Sequence, residues 1–167
     1  MDPNYISPFI ASVQNVFSTM LHLPVEVGEP DVKVEPTPTF DVSGIIGMSG
    51  DVTGSVVLSF PLQTALRVVS IFAGAEVSEK SPDFADAVGE LVNMVSGGAK
   101  GMFQNKKVAI SCPNVVIGAG HMVARLKDVP CIVIPCATDA GKFVIEVAIQ
   151  ERPANAGQVG AMAAARA

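Results

Sequence analysis

A chain of 167 residues that is 49% hydrophobic and 16% charged has enough apolar matter for one packed core, expected as a single domain over 1–150 with a flexible Ala/Gly-rich tail over 151–167. A net charge of −5 excludes nucleic acid as a partner, because phosphate binding needs clustered Lys and Arg and the local cluster here is only Lys100, Lys106 and Lys107. No apolar run approaches the roughly 20 residues that cross a bilayer, and the start Met1-Asp2-Pro3-Asn4-Tyr5 lacks a basic, apolar leader, so a cytoplasmic protein without membrane contact is expected.

In chain order, Ser7-Pro8 reads as a cap followed by proline at the first helical position, and Phe9, Val13, Val16, Phe17 and Met20 recur at helical spacing, predicting a helix over 8–21. Four prolines at 24, 30, 36 and 38 keep the next segment extended or irregular. Strands are predicted over 40–48 and 54–60 around a Ser49-Gly50-Asp51 turn. A helix over 62–72, ended near Gly74, precedes a longer one over 82–103 that opens with the cap-plus-proline pair Ser81-Pro82. Beyond it, Val- and Ile-rich runs at 115–117, 122–126, 131–134 and 143–149 predict four strands, arranged as a meander.

Cys112, Cys131 and Cys136 form no Cys-x-x-Cys pair, and neither His22 nor His121 stands at short ligand spacing from them, so no zinc site is indicated. Buried free thiols are expected, with Cys131 and Cys136 on opposite faces of one strand because an odd number of positions separates them.

The stretch from Asp41 to Val57 aligns without gaps on Asp128 to Val144, which pairs Val42 with Val129, Ile45 with Ile132 and Gly54 with Gly141. A duplicated strand-turn-strand unit follows. Phe9, Val13 and Val16 likewise align with Phe84, Val88 and Leu91, so each half reads as a helix followed by strands. In that register Asn15 stands opposite Glu90 and Ser18 opposite Asn93, and the first helix lacks the acidic and amide pair.

That pair carries the chemistry. Asp86, Glu90 and Asn93 are spaced i, i+4 and i+7, within roughly 60° of one another round a helix, while Phe84, Val88, Leu91, Val92 and Val95 gather on the other side. A carboxylate and a carboxamide are offered together to solvent. Gly89 and Gly97 flank the line, each costing about 1 kcal/mol relative to Ala, and leave room for close approach of another backbone, from a partner or from within the fold. There is no phosphate loop, dinucleotide fingerprint or metal-ligand spacing.

The pattern Asp86-x-x-x-Glu90-x-x-Asn93 resembles the signature of the CheC, CheX and FliY chemotaxis phosphatases, and the surrounding sequence is most similar to CheX. The resemblance runs from Tyr5-Ile-Ser-Pro-Phe-Ile through Val25-Glu-Val-Gly to about Ile149. The family pattern also sets a proline beyond the Asn. Here Pro113 follows after 19 intervening residues, fewer than the pattern has, through a shortened turn near 105–107.

The resemblance implies an α/β fold, α+β in character, with long helices packed on an antiparallel sheet in two related helix-plus-strands halves, and a homodimer. It implies a protein phosphatase that hydrolyses the aspartyl phosphate of a CheY-like response regulator. Asn93 would position the attacking water and Glu90 would dock on the partner's lysine, with Asp86 and Gly97 at the contact. The protein would need no cofactor or metal of its own, Mg²⁺ arriving with the regulator. The competing expectation is a noncatalytic response-regulator-binding or flagellar-switch-like module.

Overall fold

A computed structural model describes residues 3–152. After a short 3-10 turn at Pro3–Tyr5, helix α1 spans Ser7–Leu21, α2 Leu62–Ala73 and α3 Pro82–Gly101. The strands are β1 Glu26–Val27, β2 Asp31–Lys33, β3 Val42–Gly50, β4 Val52–Phe60, β5 Val108–Ile110, β6 Asn114–Ile117, β7 Cys131–Thr138 and β8 Gly141–Glu151. Of the tail expected over 151–167, Glu151 ends β8 and the Arg152 amide donates to the Asp51 carbonyl at 2.9 Å; the rest lies outside the described residues.

All pairings in the sheet are antiparallel, in the order β1-β7-β8-β4-β3-β5, with β2 also on β7 and β6 also on β3. The strands expected as a meander are therefore dispersed: the runs at 131–134 and 143–149 form the β7-β8 hairpin, whereas the run at 115–117 is β6, which adds to β3 at the other side together with the unexpected β5. The run at 122–126 is not a strand. It belongs to an irregular segment between β6 and β7, where its groups bond outside any ladder: Arg125 donates to the Lys33 carbonyl (3.0 Å), and His121 Nε2 lies 2.8 Å from Ser43 Oγ.

Both members of the proposed repeat are hairpins, β3-β4 and β7-β8, and they meet along the central β4-β8 pairing. The arrangement is reciprocal, since short strands of the first half pair with β7 and those of the second half pair with β3. The gapless register does not survive the turns. Gly54 pairs with Met48, whereas its counterpart Gly141 pairs with Thr138, which closes a tighter two-residue turn.

The three helices cover one face of the sheet. Even-numbered residues of β3 and β4 and odd-numbered residues of β8 face them, so Val42, Ile46, Val56, Leu58, Phe143, Ile145 and Val147 join Phe9, Val13, Leu91 and Val95 in one core. Phe143 stacks between Phe17 and Phe60, with ring centroids 4.9 and 5.1 Å away. Ser7 is the first residue of α1 rather than its cap, which falls on Ile6 without a side-chain bond. The opposite face of the sheet is covered in part by β2 with the irregular stretch around 34–39 that follows it and by that around 118–130, and there buried Glu146 pairs with Lys33 at 2.8 Å and accepts from Thr39.

Candidate functional site

Helix α3 has an N-terminus that its sequence specifies locally. Ser81 Oγ accepts from the Asp83 amide at 3.3 Å, Pro82 stands at the first turn where no amide donor is needed, and Asp83 places a negative charge there. Phe84, Val88, Leu91, Val92 and Val95 are buried, as their spacing requires. The helix lies close on β3 because Gly44 offers no side chain beneath it: a Cβ there would stand 2.9 Å from Val92 Cγ1. On its other flank, Ser12 of α1 donates to the Val95 carbonyl at 2.7 Å, directly over Gly98.

This packing leaves the polar line outward. Asp86 and Glu90 are exposed, while Asn93 and Gly97 are half-buried. Among the described residues, the side chains of Asp86, Glu90 and Asn93 make no hydrogen bond or ion pair, so the carboxylates and the carboxamide keep their full bonding capacity for something outside the molecule.

The neighbour of this line is the segment between β5 and β6. The ring of Pro113 packs on Gly89, where a Cβ would lie 3.2 Å from Pro113 Cγ and 3.5 Å from Val115 Cγ2. A Cβ on Gly97 would lie 3.9 Å from Ile110 Cδ1. The close approach at Gly89 is thus made from within the fold. Asn93 stands four positions after Gly89, about 40° round the helix, which places it at the edge facing Pro113, where it is half-buried. The role of Pro113 beside the site was not legible in the chain, because the strand that delivers it, β5, is three residues long.

Among the described residues no group of three or more His, Cys, Asp or Glu is placed to hold a metal ion. Cys131 and Cys136 are buried on opposite faces of β7, as expected, whereas Cys112 is exposed, contrary to the expectation of a buried thiol. Its place next to Pro113 on the connection between β5 and β6 turns it to solvent. Burial pushes the Cys136 thiol up to about 12. Burial, and then the Glu146 carboxylate, raises Cys131.

The family described as "Chemotaxis phosphatase CheX" matches residues 42–137. The chain is 31% identical over 121 residues to the CheY-P phosphatase CheX of Thermotoga maritima, covering 71% of this chain and 78% of that protein. It superposes on a crystal structure of chemotaxis protein CheX from Desulfovibrio desulfuricans with a TM-score of 0.80 at 32% identity, covering 89% of this chain and 99% of that one. The CheX-CheY-BeF3-Mg complex from Borrelia burgdorferi shares the fold, with a TM-score of 0.74 at 24% identity over 88% of this chain and 98% of that one. Among the described residues no helix is long and apolar enough to cross a membrane. The chain belongs to the CheX family of chemotaxis phosphatases and is a phosphatase.

Proposed function

We propose that the protein hydrolyses the aspartyl phosphate of a CheY-like response regulator in the cytoplasm, with Asn93 holding the attacking water and Glu90 docking the helix on the partner's lysine. The observation that carries this is the pair itself. Glu90 and Asn93 stand one turn apart on the outer edge of α3, without partners among the described residues, on a helix fixed from two sides by β3 and α1. The Thermotoga relative is a CheY-P phosphatase, which supports the substrate class.

An acyl phosphate carries its own good leaving group, so a water placed in line needs no strong base, and positioning alone accounts for a large part of the acceleration. A carboxamide offers an acceptor and two donors, enough to orient one water, and it stays neutral at working pH. The Glu90 carboxylate forms a charge-assisted bond with an ammonium group, which sets the depth to which Asn93 enters. Asp86, a turn before Glu90, contributes at the rim. Gly97, a turn beyond Asn93, keeps the far end of the line low enough for the partner to close on it. The protein itself contributes no metal, and charge on the phosphate is neutralised by the Mg²⁺ of the regulator.

The direct test is the lifetime of a phosphorylated regulator in the presence of the protein. Wild type shortens it, and Asn93→Ala loses most of that effect while still binding. Decay at the wild-type rate with Asn93→Ala would remove the water-positioning role.

The same family reading includes a homodimer. Among the described residues the outer side of β2 has no strand paired to it, and next to it Val32, Val34, Met122 and Leu126 are exposed at 52%, 86%, 64% and 49%. An apolar patch beside an open strand edge is the kind of surface that a second copy covers. Light scattering on the intact protein should give twice the chain mass, and Val34→Glu with Met122→Glu should return it to the monomer.

A further inference from the structure

Strands β5 and β6 both pair with β3, but their register changes between them. Ile110 lies opposite Met48 and Asn114 opposite Ile45, so the two residues Ile46 and Gly47 face the three residues Ser111, Cys112 and Pro113. One extra residue on the edge makes a β-bulge, a device that bends a strand and re-aims its side chains. Here it lifts Cys112 and Pro113 out of the sheet and sets the Pro113 ring on Gly89, beside the Glu90 and Asn93 line.

The bulge is pinned. The Ser111 amide donates to the Gly47 carbonyl at 2.9 Å, the Gly47 amide donates back to Ser111 Oγ at 2.9 Å, and that hydroxyl donates to the Cys112 carbonyl at 2.8 Å. Ser111, Cys112, Pro113 and Asn114 are all exposed, and no Asp, Glu, Lys or Arg occurs from 108 to 124. A rigid, neutral ridge thus stands along one side of an acidic helix line.

We infer that this ridge is a second contact line for the phosphorylated regulator, an inference that rests on the phosphatase reading above. A water held by Asn93 must come within about 3–3.5 Å of the phosphorus it attacks, which brings the partner's surface down to the helix edge. The ridge rises from that edge at Gly89, one turn before Asn93, and lies inside the footprint of any partner docked so closely. A specific protein contact covers about 800 Å² on each side, more than three polar residues of one helix supply. Being pinned beforehand, the ridge adds contact area with little ordering cost. It contributes neutral contacts, so its effect falls on how well a regulator docks and not on the hydrolytic step.

Cys112 is the probe for this, since the other two thiols are buried and pushed toward their neutral form. A bulky maleimide near neutral pH should modify Cys112, and Cys112→Ser should take up none. Regulator loaded with beryllofluoride and Mg²⁺ should slow that modification several-fold, and unloaded regulator should slow it less. The bulky adduct should raise the KM for the phosphorylated regulator about tenfold with a much smaller change in kcat, as loss of a contact line does. The inference is overturned if Asn93→Ala abolishes turnover as expected, yet Cys112 stays fully reactive under saturating loaded regulator and the adduct leaves KM unchanged. A loss confined to kcat also overturns it. Wild-type protein that leaves the regulator's lifetime unchanged overturns both the inference and the phosphatase reading.

Discussion

Gly44 of β3 lies directly beneath Val92 of α3, so close that a Cβ at position 44 would stand 2.9 Å from Val92 Cγ1 and 3.1 Å from Val92 Cβ. The contact holds the helix that carries Glu90 and Asn93 at its height above the sheet. Gly44→Ala should force the two elements apart and cost about 1–3 kcal/mol, as overpacking does. Phosphatase activity should fall with it, because Asn93 moves with the helix. Since Val92→Ala removes Cγ1, the closest of the obstructing atoms, the double variant should be less destabilised in urea than the sum of the two single changes, a non-additivity expected only of residues in contact.

Glu90→Ala should weaken regulator binding about tenfold or more, because a hydrogen bond to a charged group contributes roughly 1.5–3 kcal/mol. It should lower turnover through docking, in contrast to Asn93→Ala, which leaves binding largely intact. Titration calorimetry beside the decay assay separates the two. With a net charge of −5 on this chain, the attraction is short-range. Affinity should therefore change by less than about tenfold between low and physiological salt.

On the opposite face of the sheet, Lys33 Nζ and Glu146 Oε1 are 2.8 Å apart with side chains only 15% and 9% exposed. Lys33→Ala leaves a buried carboxylate without its cation and should cost roughly 2–3 kcal/mol in chemical denaturation, toward the lower end for a pair that retains some solvent contact. Lys33→Met combined with Glu146→Leu should recover most of that loss. The kcat of either variant should stay near wild type, since the pair lies across the sheet from α3.

The Cys136 thiol, raised from 9.0 to about 12 by burial, gives a pH dependence of defined sign. The folded chain holds this proton more tightly than the unfolded one. Its contribution to stability is fully present below pH 9 and is lost as pH rises toward 12, with a slope of at most about 1.4 kcal/mol per pH unit. Cys136→Ala should flatten the alkaline limb of the stability profile measured by urea denaturation, at a cost of about 1 kcal/mol near neutrality from the smaller side chain. The raised Cys131 thiol should keep part of the slope in place.

The three helices were legible because each buries one face and repeats its apolar residues at 3.6 positions, and the two long hairpins because their Val- and Ile-rich runs, buried on both faces in β4 and β8, are bounded by turns. Strands β1, β2 and β5 have two or three residues each, too few to show a period, and exist because an edge of β7 or β3 accepts them. The run at 122–126 shows the reverse case: its apolar residues include a half-buried Val123, but its Met122 and Leu126 face outward and no edge pairs with it. Asp86, Glu90, Asn93 and Gly97 lie along one side of α3, as their spacing required. Gly89 carried two readings in the chain, and the Pro113 ring decided between them.

The sequence by itself determined that one helix presents an acidic and amide line opposite an apolar stripe, and that this pattern with its surroundings resembles the CheX phosphatases. Both rest on local order, since residues within two turns of one helix share a face whatever the rest of the chain does. Only the tertiary structure decided what stands beside that line. Pro113 reaches Gly89, one turn before half-buried Asn93, through a bulge whose single extra residue is visible only when β5 and β6 are both registered on β3. Contacts between residues distant in the chain depend on strand register, and register is set by pairing across the whole sheet, not by any one segment.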